Sequence, residues 1–102
     1  MLDITVEELK AQLGKVQLVD VREPFEHEIC SIKGDVLIPI RELELSLGEL
    51  DSDKPTVLYC HSGNRSMHAA MLLRSKGFMS VRSLKGGIDE WAEKIEPGME
   101  RY

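Results

Sequence analysis

Apolar residues occur in short runs along the chain, and runs with strand character alternate with runs that have helical spacing. Strands are predicted at residues 16–21, 36–38, 56–59 and 81–84. Helices are predicted from Val6 to near Gly14, from Glu23-Pro24 onward, from 41 to 50, from Ser66 to about Lys76, and after Gly86-Gly87. Strands that alternate with helices are typical of a parallel sheet with helices on both faces. The pattern therefore predicts an α/β fold, with a mostly parallel central sheet of about five strands.

Local signals fix the ends and the type of some of these helices. Thr5-Val6-Glu7-Glu8 has the spacing of a capping box, in which Thr5 and Glu8 bond each other's backbone amides. Gly77 stands where a left-handed C-terminal cap belongs. The segment 41–50 alternates acidic residues with leucine, which is a strand-like period, but Glu and Leu favour helix. We predict a helix there.

The composition is that of an ordinary globular protein. Apolar residues make up 42% and charged residues 30% of the 102 positions, which suits a single domain spanning residues 1–102. The formal charge is −5 and no basic patch is evident, which argues against nucleic-acid binding. The acidic start Met1–Glu8 does not resemble a targeting signal, and no apolar run reaches membrane-spanning length. We therefore expect a cytoplasmic protein that binds neither nucleic acid nor membranes.

The predicted sheet brings two reactive side chains to the edge where active sites form. Asp20 and Cys60 stand at the carboxyl ends of predicted strands, and ligands of parallel sheets bind beyond those ends. Cys60 is followed by the loop His61-Ser62-Gly63-Asn64 and then by a helix. A loop of that kind turns successive amide N–H groups inward, and the helix dipole adds positive potential on the same side. This setting predicts an anion-binding nest around the sulfur.

Three residues of this segment support that interpretation. Gly63 allows a backbone conformation that a side chain would hinder, Arg65 adds a fixed positive charge, and Ser66 is a candidate cap for the helix. A cysteine that ends a buried strand is usually a small apolar residue. In this loop, however, we interpret Cys60 as a nucleophile, because the nest stabilises a thiolate relative to the thiol.

At these residues the chain resembles the rhodanese family. The matching segments are Asp20-Val21-Arg22-Glu23-Pro24-Phe25-Glu26, Ile38-Pro39, Tyr59-Cys60-His61-Ser62-Gly63-Asn64-Arg65-Ser66, Ala69-Ala70, Gly77-Phe78, Val81, Leu84-Lys85-Gly86-Gly87-Ile88 with Trp91, Pro97 and Arg101-Tyr102. One segment departs from the family pattern: Cys30-Ser31-Ile32-Lys33-Gly34-Asp35 stands where rhodanese-like chains usually read Gly-His-Ile-Pro-Gly-Ala. The resemblance covers nearly the whole chain and implies the three-layer rhodanese fold.

The resemblance also implies a reaction. Cys60 would carry the transferred sulfur, and the loop that binds it would consist of His61, Ser62, Gly63, Asn64 and Arg65. In the family reaction, a donor such as thiosulfate or a persulfide gives its outer sulfur to the thiolate. An acceptor such as cyanide or a thiol, or a protein, then removes that sulfur. This chemistry requires no metal and no organic cofactor.

The length of the loop separates sulfur transfer from its alternatives. Cys60 and Arg65 are spaced as C-x4-R, whereas the dual-specificity phosphatases and some arsenate reductases that resemble this family use C-x5-R. The longer loop is wide enough for a phosphate-sized anion, and the shorter one suits a persulfide. We therefore favour a sulfurtransferase over such an oxyanion enzyme. A module that relays or binds sulfur for a partner protein without turnover stays open, because a relay needs the same persulfide.

Further residues are expected beside the loop. Asp20, Arg22 and Ser66 are predicted to support it, with Asp20 paired either to Arg65 or in a structural ion pair that closes its strand. Cys30 is either a resolving thiol for a Cys60 persulfide or, as we favour, an incidental thiol.

The remaining candidates are histidines and aromatic residues. His61 is interpreted equally well as a substrate contact or as an exposed loop residue. His27 and His68 have no evident partner and are expected to be surface or packing residues. Phe78 and Trp91 are expected in the core.

Overall fold

The computed structural model describes residues 2–102 and contains one five-stranded sheet in which every neighbouring pair is parallel. The strands are β1 (Asp3–Ile4), β2 (Gln17–Asp20), β3 (Val36–Leu37), β4 (Thr56–Tyr59) and β5 (Val81–Leu84). The α-helices are α1 (Val6–Gln12), α2 (Pro24–Ile29), α3 (Asn64–Ser75) and α4 (Gly87–Lys94), and Ile40–Glu49 forms a 3-10 helix. The strand order is β1-β5-β4-β2-β3, so β4 lies at the centre of the sheet. The predicted α/β class and parallel sheet are confirmed.

Two elements differ from the prediction. Strand β1 has only two residues, paired with Ser83 and Leu84, and carries no periodic signal of its own. The helix predicted at 41–50 is present at Ile40–Glu49, but it is a 3-10 helix, whereas Glu and Leu propensity favours an α-helix. The apolar residues of this helix and its C-cap that reach the core lie three apart, in the pairs Ile40 with Leu43 and Leu47 with the cap residue Leu50. A 3-10 helix has three residues per turn, so that spacing places each pair on one side.

The ends of the helices follow the local signals. The Thr5 side chain accepts a hydrogen bond from the Glu8 amide, and Glu8 accepts one from the Thr5 amide. This confirms the predicted capping box. Gly77 has φ +94°, as a left-handed cap requires.

Side chains alternate between two core clusters because successive strand residues point to opposite faces of the sheet. Along β4, Leu58 and then Cys60 join the cluster that packs against α3. Val57 and Tyr59 join the cluster on the other face, with Trp91 of α4. Trp91 and Phe78 are both buried, as predicted. The sheet thus presents Cys60 on the α3 side, at the carboxyl end of its central strand.

Within residues 2–102, no helix has both the length and the apolar character needed to cross a membrane. Met1, which belongs to the segment considered for a targeting signal, lies outside the described residues.

Candidate active site

The sulfur of Cys60 accepts hydrogen bonds from two backbone amides. The Gly63 N–H lies 3.1 Å from Sγ and the Ser66 N–H lies 3.4 Å from it. Gly63 has φ +117°, and this left-handed conformation lets the chain turn from the loop into α3. Cys60 is 1% exposed, so these donors face a sulfur that has little contact with water. Amide donors and the start of α3 together favour a negative charge at this position.

The prediction that Ser66 caps α3 is wrong. Gly63 occupies the N-cap position, and α3 begins at Asn64, two residues before the predicted start. The buried Ser66 hydroxyl instead lies 2.7 Å from the Ser83 hydroxyl and 3.5 Å from Cys60 Sγ. Ser66 therefore connects the sulfur to strand β5.

Helix α4 holds the other side of the loop. The amides of Ile88 and Asp89 donate to the carbonyl oxygens of Cys60 and His61, at 2.9 and 3.1 Å. Gly87 precedes them with φ +63° and lies against those same carbonyls. The first turn of α4 thus fixes the backbone at the start of the loop.

Arg65 pairs with Glu26, not with Asp20. The Arg65 guanidinium donates to both carboxylate oxygens of Glu26, at 2.7 and 2.8 Å. The Glu26 side chain is 7% exposed and that of Arg65 is 38% exposed. Sequence reasoning missed Glu26, although it lies within the segment that resembles the rhodanese family. Its spacing from Arg65 gave no signal, because the two residues are 39 positions apart.

Asp20 belongs to a buried ion pair with Arg22. The Arg22 guanidinium donates to both Asp20 oxygens, at 2.9 and 2.8 Å, and to the Cys30 carbonyl at 2.6 Å. Both side chains are fully buried. This geometry matches the structural alternative, in which the pair closes the end of β2.

The histidines have three different surroundings. His27 was expected to have no partner, but its Nδ1 lies 2.9 Å from an Asp20 oxygen. The His61 ring stacks on the Tyr102 ring, with centroids 4.2 Å apart and an interplanar angle of 17°. His68 is exposed on α3.

The segment that departs from the family pattern makes its own hydrogen bonds. Tyr59 donates from its hydroxyl to Asp35 and accepts from the Ile32 amide at 3.1 Å. His27 also lies 3.7 Å from Asp35. Asp20, His27 and Asp35 each offer one atom that could bind a metal ion, and these three atoms lie within 4.8 Å of one another. However, the Asp20 carboxylate bonds Arg22 and the Asp35 carboxylate bonds Tyr59. The contacts therefore define a hydrogen-bond network that ties α2 to β4.

Cys30 and Cys60 are both free thiols, and they belong to different core clusters. Cys60 packs on the α3 side of the sheet, and Cys30 packs with the cluster on the other side. The sheet separates the two clusters, which favours the interpretation of Cys30 as an incidental thiol.

The ion pair at Glu26 predicts how stability changes in acid. The Arg65 guanidinium lowers the pKa of Glu26 from 4.5 to about 2, although burial acts in the opposite direction. A carboxyl group with a lowered pKa stabilises the fold above its unfolded-state pKa and loses that contribution as the pH falls. We therefore expect the free energy of unfolding to decrease between pH 4.5 and about 2. Glu26→Gln should be less stable at pH 7 and show a shallower decrease.

Urea unfolding at several pH values measures this effect. Glu100→Gln is the matched control, because Glu100 is exposed and bonds no other described side chain. The free energy of unfolding of Glu100→Gln should change with pH as that of the wild type does. Identical pH slopes for wild type and Glu26→Gln would contradict the assignment.

The fold and the site define a class: a parallel α/β protein in which a buried cysteine ends the central strand and accepts amide hydrogen bonds from the loop that follows. The model of the rhodanese-like domain family matches residues 5–94, and the chain belongs to that family. The resemblance inferred from the sequence is therefore confirmed.

Three relatives illustrate the range of the family. The uncharacterized protein YqhL of Bacillus subtilis is 43% identical over 96 residues, which cover 94% of this chain and 76% of YqhL. The human single-domain sulfurtransferase TSTD1 has a TM-score of 0.87 and 29% identity, covering 92% of this chain and 97% of that structure. The putative sulfur carrier protein YrkF of Bacillus subtilis is 34% identical over 97 residues, covering 92% of this chain and 52% of YrkF. The family thus includes relatives described as sulfurtransferases and as sulfur carriers.

Proposed function

We propose that this protein is a sulfurtransferase that carries a sulfane sulfur as a persulfide on Cys60. The observation that carries the proposal is the pair of amide donors, from Gly63 and Ser66, at the Cys60 sulfur. These amides stabilise a thiolate before the sulfur donor binds. They can equally stabilise the terminal sulfur of a persulfide, which is also an anion.

The first half-reaction loads the cysteine. The Cys60 thiolate attacks the outer sulfur of thiosulfate and forms a new S–S bond. The S–S bond of thiosulfate breaks at the same time, and sulfite leaves with the electron pair. Arg65 contributes positive charge near the loop, and the bidentate bond to Glu26 restricts its direction. No external oxidant or reductant is needed.

The second half-reaction unloads it. The carbon of cyanide, or the sulfur of a thiolate acceptor, attacks the outer sulfur of the persulfide. The S–S bond to Cys60 breaks, and the thiolate returns to the amides of the loop. Covalent catalysis of this kind divides one transfer into two displacements at the same cysteine.

Two alternatives use the same cysteine differently. A sulfur relay would pass the persulfide only to a partner protein, and the similarity to YrkF keeps this alternative open. A phosphatase or arsenate reductase would bind an oxyanion in front of the sulfur. The four residues between Cys60 and Arg65 favour sulfur transfer over that reaction.

Steady-state assays on one preparation separate these functions. We expect thiocyanate to form from thiosulfate and cyanide, with the parallel double-reciprocal lines of a double displacement. Protein alkylated with iodoacetamide serves as the inactive reference. We expect hydrolysis of p-nitrophenyl phosphate and reduction of arsenate to be no faster than with this reference. Hydrolysis of the phosphate ester without thiocyanate formation would overturn the proposal. Sulfur transfer only to an added protein acceptor would replace it with the relay.

A further inference from the structure

Tyr102 contacts the sulfur-binding loop, and none of its contacts was predicted from the sequence. Its ring stacks on His61, the residue directly after Cys60. Its hydroxyl lies 2.7 Å from Oε2 of Glu26 and 2.9 Å from Nη1 of Arg22. The last residue of the sequence therefore lies beside the first residue of the loop and bonds the carboxylate that holds Arg65.

The chemistry of the three groups fixes the direction of these bonds. A guanidinium only donates hydrogen bonds and an ionised carboxylate only accepts them. The Tyr102 oxygen therefore accepts from Arg22 and donates its proton to Glu26. Burial raises the pKa of Tyr102 to about 12, so the phenol keeps that proton at neutral pH.

The anchor on the other side of Tyr102 is rigid. Arg22 is fully buried, binds both oxygens of Asp20 and donates to the Cys30 carbonyl. Its guanidinium carbon also lies 5.8 Å from the centre of the Tyr102 ring. Tyr102 is 40% exposed, yet its hydroxyl is held between a fixed cation and a buried carboxylate.

We propose that Tyr102 is a positioning residue for the sulfur-binding loop. It holds the two ends of the loop together: it contacts His61 directly, and it reaches Arg65 through Glu26. Glu26 Oε1 also accepts from the Glu23 amide at 3.0 Å. Among residues 2–102, Oε2 bonds only Tyr102 and Arg65. Without the Tyr102 hydroxyl, Oε2 keeps only Arg65 of these two partners, and the direction of the Arg65 guanidinium is held less firmly. Tyr102 itself touches no reacting atom. This inference rests on the proposed function, in which the loop binds an anionic sulfur donor.

The test compares two changes at Tyr102. Tyr102→Phe removes the hydroxyl and keeps the ring on His61, whereas Tyr102→Ala removes both. For Tyr102→Phe we expect the KM for thiosulfate to rise about threefold or more, with kcat nearly unchanged. This is less than the roughly tenfold effect of losing a hydrogen bond to a charged group, because Tyr102 acts on the loop through Glu26 and does not touch the substrate. Tyr102→Ala should raise KM further, and the additional increase measures the contribution of the ring.

Tyr59→Phe is the matched control, because it removes the only other phenol hydroxyl of the chain. That hydroxyl bonds Asp35 and the Ile32 amide, on the face of the sheet opposite to Cys60. Tyr59→Phe should lower stability in urea without changing the KM for thiosulfate. Equal KM values for wild type, Tyr59→Phe and Tyr102→Phe would overturn the proposal.

A second measurement does not depend on sulfur transfer. The rate at which iodoacetate alkylates Cys60, divided by the rate for neutral iodoacetamide, reports the positive potential at the loop. We expect this ratio to fall in Tyr102→Phe and to stay constant in Tyr59→Phe. A lower ratio without any thiocyanate formation by the wild type would support the positioning role and contradict the proposed reaction. An unchanged ratio in an active enzyme would contradict the positioning role alone.

Discussion

Replacing Cys60 with serine is expected to reduce sulfur transfer from thiosulfate to cyanide by a factor on the order of a thousand or more. A serine hydroxyl forms no persulfide, so the covalent step is lost. The fold should persist, because the two side chains are almost the same size. The amides of Gly63 and Ser66, which bond the sulfur, can also bond a hydroxyl. Thiocyanate formation and urea unfolding measure the two effects on the same sample.

Cys30→Ser is the control for this substitution. It replaces the only other thiol, which packs on the opposite face of the sheet. We expect it to keep the activity of the wild type. Appreciable turnover by Cys60→Ser would contradict the proposed mechanism, and a comparable loss in Cys30→Ser would show that the second thiol takes part.

Replacing Gly87 with alanine is expected to destabilise the protein by about 2 kcal/mol or more and to lower activity. Gly87 has φ +63°, and an added Cβ would lie 2.6 Å from the Cys60 carbonyl oxygen and closer still to the His61 carbonyl. Backbone atoms cannot turn away as a flexible side chain can. The loop and α4 must therefore separate, which weakens the bonds from the Ile88 and Asp89 amides to those carbonyls.

Gly98→Ala makes the same chemical change at a site without these constraints. A Cβ at Gly98 meets no atom within 4 Å, and its φ lies outside the left-handed region. We expect its stability in urea and its rate of sulfur transfer to match the wild type. If Gly87→Ala were as stable and as active as Gly98→Ala, the claim that α4 fixes the loop would be wrong.

The sequence predicted most of the fold because its signals are local. The apolar runs around Val19 and Leu58, the capping box at Thr5 and the cap at Gly77 each need only a few neighbouring residues. The 3-10 type of the 40–49 helix was not predicted, because it depends on which side chains pack against the core and not on local propensity. Leu45 is 91% exposed while Leu43 is buried, so the alternating leucines do not share one environment.

The site was only partly predictable, because some of its contacts join residues that lie far apart in the sequence. A short sequence segment holds Cys60, Gly63 and Ser66, and their contacts follow from the local path of the chain. The bond between Arg65 and Glu26 joins residues 39 positions apart, and the bond between Tyr102 and Glu26 joins residues 76 apart. Neither pair has a spacing that distinguishes it from other charged or polar pairs, so Asp20 was considered for Arg65 in place of Glu26.

Intact-protein mass spectrometry tests the central claim most directly. The fully reduced protein is incubated briefly with thiosulfate, measured, treated with cyanide and measured again. The account predicts a gain of one sulfur atom, about 32 Da, that maps to Cys60 and disappears with cyanide. The absence of any adduct on a verified reduced Cys60, or an adduct that maps to Cys30, would contradict it.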